Sequence, residues 1–159
     1  MNILRVVWGS ATGPTAMAAY DAALADANIH NYNLVTVSSV IPAEPPLEVV
    51  GTAPDLGPVG NRLTVVQSKA TTAPGESGAA AAGIGWARSE SGRGIFYEAT
   101  GEDTAEVRET IERGLDAGTE LRDWTFVDED TLVRETPASA DEHTALIVCA
   151  VYGDSTPIL

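Results

Sequence analysis

Two rhythms of apolar residues run through this chain. Largely apolar runs, the mark of strands buried on both faces, occupy residues 3–8, around Arg5, and 144–152, and shorter β-branched runs occupy 33–37 and 62–66. Residues 95–99 alternate, which predicts Phe96 and Glu98 on one face of a strand and Ile95 and Tyr97 on the other. Residues 79–86 are alanine and glycine with Ile84 and Trp86, and read as a strand with close neighbours. Residues 124–127 and 131–134 read as two short strands about an acidic turn. Helical spacing appears twice. Met17, Tyr20, Leu24 and Ala27 give a first helix its core face, with Pro14 in the first turn after a glycine-containing turn at residues 9–13. Val107, Ile111 and Leu115 give a second, running to about residue 121, with Asp103 and Glu106 as a cap-like pair at its start. Residues 42–60, rich in proline and glycine, read as a loop over the surface, and 71–78 as another. Two helices against mostly β sequence predict an α/β layered sandwich, and 159 residues suit a single domain spanning 1–159.

Charge changes this picture at the surface. The formal charge is -14, from 23 acids against nine Lys plus Arg, and Lys69 is the only lysine. That sign argues against nucleic acid and anionic membranes as partners. The acids are spread along the chain and form no tail, a pattern expected of a halophile, where salt screens repulsion and hydrated carboxylates maintain solubility. No charge-free apolar run approaches membrane-spanning length and the chain opens directly on Met1-Asn-Ile-Leu, so a cytoplasmic location is expected. The single cysteine, Cys149, sits inside an apolar run and reads as a buried, inert thiol.

The candidate chemistry centres on Ser38 and Ser39. A β-branched strand ends there and opens toward Pro42, which cannot continue a ladder, so two hydroxyls stand at a strand-to-loop junction. Serines commonly end strands, and by itself the pair says no more than that. Asp21 projects beside the apolar stripe of the first helix, where a carboxylate needs a partner and a guanidinium is a good one. Asn33, six residues before Ser39, reads in isolation as a turn or strand-edge asparagine. Glu98 shares a face with an aromatic ring. Half-burial there would raise its pKa toward the range of a general acid, although an exposed strand glutamate is the plainer reading. The turn at residues 9–13 lacks any phosphate-binding glycine pattern, and neither His30 nor His143 has a catalytic context.

The stretch from Asn33-Leu-Val through Ser38-Ser39-Val-Ile-Pro42, the Asp21-Ala-Ala-Leu helix before it and Phe96-Tyr97-Glu98-Ala-Thr-Gly101 after it resemble the pyruvoyl-dependent arginine decarboxylases. The resemblance runs from the first strand to the last. It implies a four-layer αββα fold, assembled as a homotrimer or a dimer of trimers with active sites between subunits. It implies a proenzyme that cuts itself between Ser38 and Ser39, giving a β chain of residues 1–38 and an α chain of 39–159, with Ser39 converted to the pyruvoyl cofactor. Asn33 would stabilise the oxyanion of self-cleavage, Glu98 would donate a proton to the substrate, and Asp21 would contact the charged end of the substrate side chain. The substrate would be L-arginine and the products agmatine and CO2. The pyruvoyl group takes the electron-sink role of pyridoxal phosphate, so neither that cofactor nor a metal is called for. One departure stands out: the family usually has two adjacent prolines after the serine pair, and Ala43 replaces the second.

Other readings stay open from residues alone. A pyruvoyl decarboxylase of another amino acid, such as histidine, would share the serine-pair chemistry, though Asp21 suits a permanent cation. A non-catalytic α/β binding domain would use the two serines merely to end a strand. A serine hydrolase has less support, because no G-x-S-x-G elbow is present.

Overall fold

The protein is described from a computed structural model covering residues 2–159. In chain order the elements are β1 (Leu4–Gly13), α1 (Ala16–Asp26), β2 (Asn33–Thr36), β3 (Val40–Ile41), β4 (Leu47–Gly51), β5 (Arg62–Thr72), β6 (Ala79–Ser89), β7 (Gly94–Gly101), α2 (Thr104–Glu120), β8 (Phe126–Pro137) and β9 (His143–Tyr152). They form a mixed α/β structure of two sheets. One has five strands in the order β2-β5-β9-β1-β4, the other four in the order β3-β7-β6-β8.

The continuous apolar strands fall at the centre, as their composition requires. β9 pairs antiparallel with β1 on one side and β5 on the other, and it buries both faces. Ala145, Ile147, Cys149 and Val151 pack with Val7, Val65, the α1 residues Ala19, Ala23 and Leu24, and Ala27, which caps the helix. The alternate residues Leu146, Val148 and Ala150 pack between the sheets with Ile84, Trp86 and Phe96. On the far face of the second sheet, Val107, Ile111 and Leu115 of α2 cover Ala81, Ala87, Ile95 and Val133. The expected cap of α2 is present: the Asp103 carboxylate accepts from the Glu106 amide at 2.8 Å.

Several local expectations are corrected. Residues 9–13 are not a turn but the end of β1, which runs on along β9 to Gly13. Helix α1 starts after Pro14, capped by the Thr15 hydroxyl. Its buried face is built from small residues, Ala19, Ala23 and Ala27 with Leu24, and Met17 is 71 % exposed. The reason is the closeness of α1 to β1: a side chain at Gly9 would run into the Ala23 carbonyl oxygen and lie 2.9 Å from the Ala27 nitrogen. Residues 47–51, read as loop, form β4, a parallel neighbour of β1. β5 continues to Thr72, and the two short strands expected at 124–134 are one strand, β8, paired along β6.

Candidate active site

The two sheets are bridged by the chain between β2 and β3. The ladder of β2 with β5 is extended to Val37, whose amide donates to the Val65 carbonyl at 3.0 Å. β3 then belongs to the other sheet, beside β7. Ser38 and Ser39 therefore stand at the crossing, the exposed Ser38 before the partly buried Ser39. Ser39 has φ 73°, the left-handed region, which costs a non-glycine residue roughly 1–2 kcal/mol. Its carbonyl is pinned by the Phe96 amide at 2.8 Å.

That backbone arrangement turns the Ser39 side chain toward β7, where its hydroxyl donates to the Glu98 carboxylate at 3.3 Å. The alternation expected on β7 holds: Phe96 enters the core between the sheets, while Ile95 and Tyr97 face α2. Glu98 shares the Phe96 face but is exposed, because it lies beyond the end of the short β3 that pairs only with Ile95 and Gly94. The serines and Glu98 open onto a cleft of about 500 Å³, closed on the other side by Tyr97 and by Gly114, Gly118, Leu121 and Arg122 at the C-terminal end of α2. A serine hydroxyl next to a peptide carbonyl can act as a nucleophile, and the hydrogen bond to Glu98 holds this one in place.

Two polar groups of this neighbourhood, missed from the sequence, leave only a faint trace in its pattern. Tyr152, at the end of β9, donates its hydroxyl to the Val40 carbonyl at 2.9 Å and meets Phe96 edge-on at 6.0 Å. Burial, followed by the charge of Glu98, pushes its pKa up to about 12, so the phenol stays a donor. A polar-tipped aromatic ending an otherwise apolar strand is the only trace of it in the sequence. Arg88 donates to the loop after β3; a lone cation in a strand of alanine and glycine is the corresponding trace.

The structure brings Ser38, Ser39 and Glu98 together and leaves Asp21 and Asn33 elsewhere in the same chain. Asp21 is exposed on α1, which packs against the five-stranded sheet. Asn33 donates its side-chain amide to the Gly60 carbonyl at 2.8 Å. The extended run from 33 to 37 spans roughly 13 Å, so this amide is well out of reach of its own Ser38 carbonyl. His30 and His143 do not line the cleft, and Cys149 is fully buried. Among the described residues no cluster of His, Cys, Asp or Glu is disposed to hold a metal. No helix among them is long and apolar enough to cross a membrane.

Comparison with known proteins gives a consistent result. The family model described as pyruvoyl-dependent arginine decarboxylase matches residues 3–157. A protein of Halobacterium salinarum bearing that name is 51 % identical over 160 residues, covering 99 % of this chain and 98 % of its own. Proteins of the same name from Pyrococcus horikoshii and Methanopyrus kandleri are 36 % and 32 % identical, over 82 % and 92 % of this chain and 85 % and 93 % of their own. With a match that leaves only the chain's extreme ends uncovered, this protein belongs to the pyruvoyl-dependent arginine decarboxylase family.

Proposed function

We propose that this chain is the proenzyme of an arginine decarboxylase, activated by self-cleavage between Ser38 and Ser39 and converting L-arginine to agmatine and CO2. The observation that carries the reading is the hydrogen bond from the Ser39 hydroxyl, on a left-handed backbone at the crossing between sheets, to the Glu98 carboxylate at 3.3 Å. Ser39 Oγ attacks the Ser38 carbonyl carbon and the Ser38–Ser39 amide becomes an ester, with the proton returned to the freed Ser39 nitrogen. Loss of the Cα proton of residue 39 then expels the Ser38 carboxylate, and water converts the resulting dehydroalanine to a pyruvoyl group with release of ammonia. The residues fit such a group: the Phe96 amide and Tyr152 hydroxyl hold the carbonyls of residues 39 and 40, and residue 39 faces the cleft beside Glu98.

When formed, the pyruvoyl ketone with its neighbouring amide carbonyl supplies the electron sink for loss of CO2. The protein supplies the rest. Glu98 delivers a proton to the substrate α-carbon, and the wall formed by Tyr97 and α2 orients the chain of the substrate. Asn33 and Asp21 serve a site to which a neighbouring copy contributes, since neither reaches the cleft of its own chain. The exposed Val35, Val40, Tyr97 and Leu121, close to the scissile segment and the cleft, support burial by such a copy, and we place the assembly as a homotrimer or a dimer of trimers. In this reading the fold is a single domain of four layers, α1, two sheets and α2, supported by the three apolar clusters between them. The acidic surface suits a halophile's cytoplasm.

The test is a denaturing intact-mass spectrum of protein kept in high salt, followed by an assay for agmatine. Two fragments meeting at Ser38–Ser39, with the larger blocked to Edman degradation, and agmatine formed from arginine are the expected results. A chain that stays whole on long incubation sinks the proposal, and cleavage with release of CO2 only from another amino acid corrects its substrate.

A further inference from the structure

We propose that Arg88 is a positioning residue for the scissile segment. It fixes the chain just downstream of Ser39, holding that residue in its left-handed conformation before the cut and its new terminus in the cleft afterwards. This inference rests on the self-cleavage reading above.

The guanidinium of Arg88 is spent on backbone carbonyls. Nη1 donates to the Pro45 carbonyl at 2.7 Å, Nη2 to those of Pro42 and Ala43 at 3.3 and 3.5 Å, and Nε to that of Gly92 at 2.8 Å. The last bond ties the fork to the turn between β6 and β7, so its aim at the loop is set by the sheet. Only an arginine can offer several donors in one rigid plane; a lysine ammonium, a point donor on a flexible stem, cannot span carbonyls from 42 to 45. In a chain with nine cations against 23 acids, four donations from one arginine to carbonyls are a costly use of positive charge. The loop is also seated sterically, because a side chain at Gly92, φ 91°, would collide with the Ala43 carbonyl.

The need for such a clamp follows from the local geometry. A left-handed serine persists only where its surroundings over-determine it, and upstream the ladder stops at Val37. Downstream, β3 has two residues, and its Val40 is half exposed. Once the peptide bond is cut, residue 39 becomes a chain end, and chain ends fray unless tied down. Phe96 and Tyr152 hold the first two carbonyls of that end, and Arg88 holds the next stretch, replacing the restraint that the lost bond supplied.

Arg88→Met and Arg88→Lys separate this role from general support of the fold, with Arg93→Ala as a control in the same turn that stacks on Trp124 and does not touch the loop. The full-length proteins are followed by intact mass for cleavage and by amide exchange for local order. Expected are a cleavage rate lowered about tenfold or more in Arg88→Met, less in Arg88→Lys, and unchanged in Arg93→Ala. Exchange should rise in the peptide covering 38–49 and stay at the wild-type level in the one covering 144–152. Wild-type cleavage rates with normal protection of 38–49 in both Arg88 variants overturn the proposal, as does faster exchange spread evenly over β9. If wild-type protein itself stays uncut, the cleavage reading and the catalytic part of this one fall together. Exchange at 38–49 in the Arg88 variants then still decides whether the clamp exists.

Discussion

Raising the pH should destabilise this protein through a residue far from the cleft. Cys149 lies in the middle of β9 with no solvent exposure, its sulfur 3.8 Å from the Gln67 Oε1 that also accepts from the Tyr20 hydroxyl. Burial pushes its thiol from the ordinary 9.0 up to about 12. The unfolded chain therefore gives up this proton first, and above pH 9 it binds fewer protons than the folded chain. The sign follows: the contribution is whole below about pH 9 and is lost as pH climbs toward 12. At about 1.4 kcal/mol per pH unit, roughly 3 kcal/mol is lost by pH 11 and about 4 kcal/mol in all. Tyr152, raised from 10.0 to about 12, adds a loss of the same sign that begins one unit later. Urea melts of wild type and Cys149→Ala at fixed protein and salt concentration, at pH 8 and pH 11, isolate the thiol, because Tyr152 is common to both. The variant should be less stable by about 1 kcal/mol at pH 8, for its lost packing, and more stable by about 2 kcal/mol at pH 11. A stability difference that does not move between the two pH values would refute a buried, protonated Cys149.

Replacing Ser39 by Ala should abolish the cut, as read by intact mass, in a chain that still unfolds cooperatively in urea; cleavage at the same bond would remove Ser39 as nucleophile. Glu98→Gln keeps a hydrogen-bond partner for Ser39, so cleavage should proceed while turnover of arginine falls by about 10²–10⁴, measured as agmatine per cleaved chain. Full turnover in that variant would assign the proton to another group. Gly9→Ala places a methyl against the backbone of α1, which cannot move aside as a side chain could, and should cost about 3 kcal/mol by urea denaturation. A change below about 1 kcal/mol would mean that α1 can lift from β1.

The parts of the fold legible in the sequence are those whose signal is local. Leu146, Val148 and Ala150 and the residues between them had to be buried on both faces whatever their neighbours, and Val107, Ile111 and Leu115 with the Asp103 cap declare α2 without any tertiary information. On the face of α1, Tyr20, Leu24 and Ala27 pack as their spacing predicts and only Met17 does not, because the rest of the contact is made by alanines, whose hydrophobic signal is weak, and by the glycines of β1 that admit them. β4 was hidden between prolines, and its place is set by parallel pairing with β1, some forty residues away. At the site, the strand end at Ser38 and Ser39 was legible in the residues, while its reading as a cleavage site rested on resemblance. That Glu98 meets Ser39 depends on a contact across 59 positions, and in the sequence it rested on resemblance alone. The exposure of Glu98 and the engagement of Asn33 with Gly60 depend on where strands stop and loops pass, which side-chain periodicity does not record.

The crossing at Ser38–Ser39 joins the sheets at a point where neither sheet depends on it. Upstream of it lie β1, α1 and β2, and β1 is enclosed between β9 and β4, both made from residues after the crossing. A break there would leave a short piece threaded through the sheet of the longer one, its ladders intact on both sides and no disulfide available to tether it. The two pieces would behave as a single cooperative unit in denaturation at ordinary concentrations. Once separated, however, they could recover only by meeting again, so dilution of the unfolded, cut protein would impede refolding in a way that it cannot for a single covalent chain.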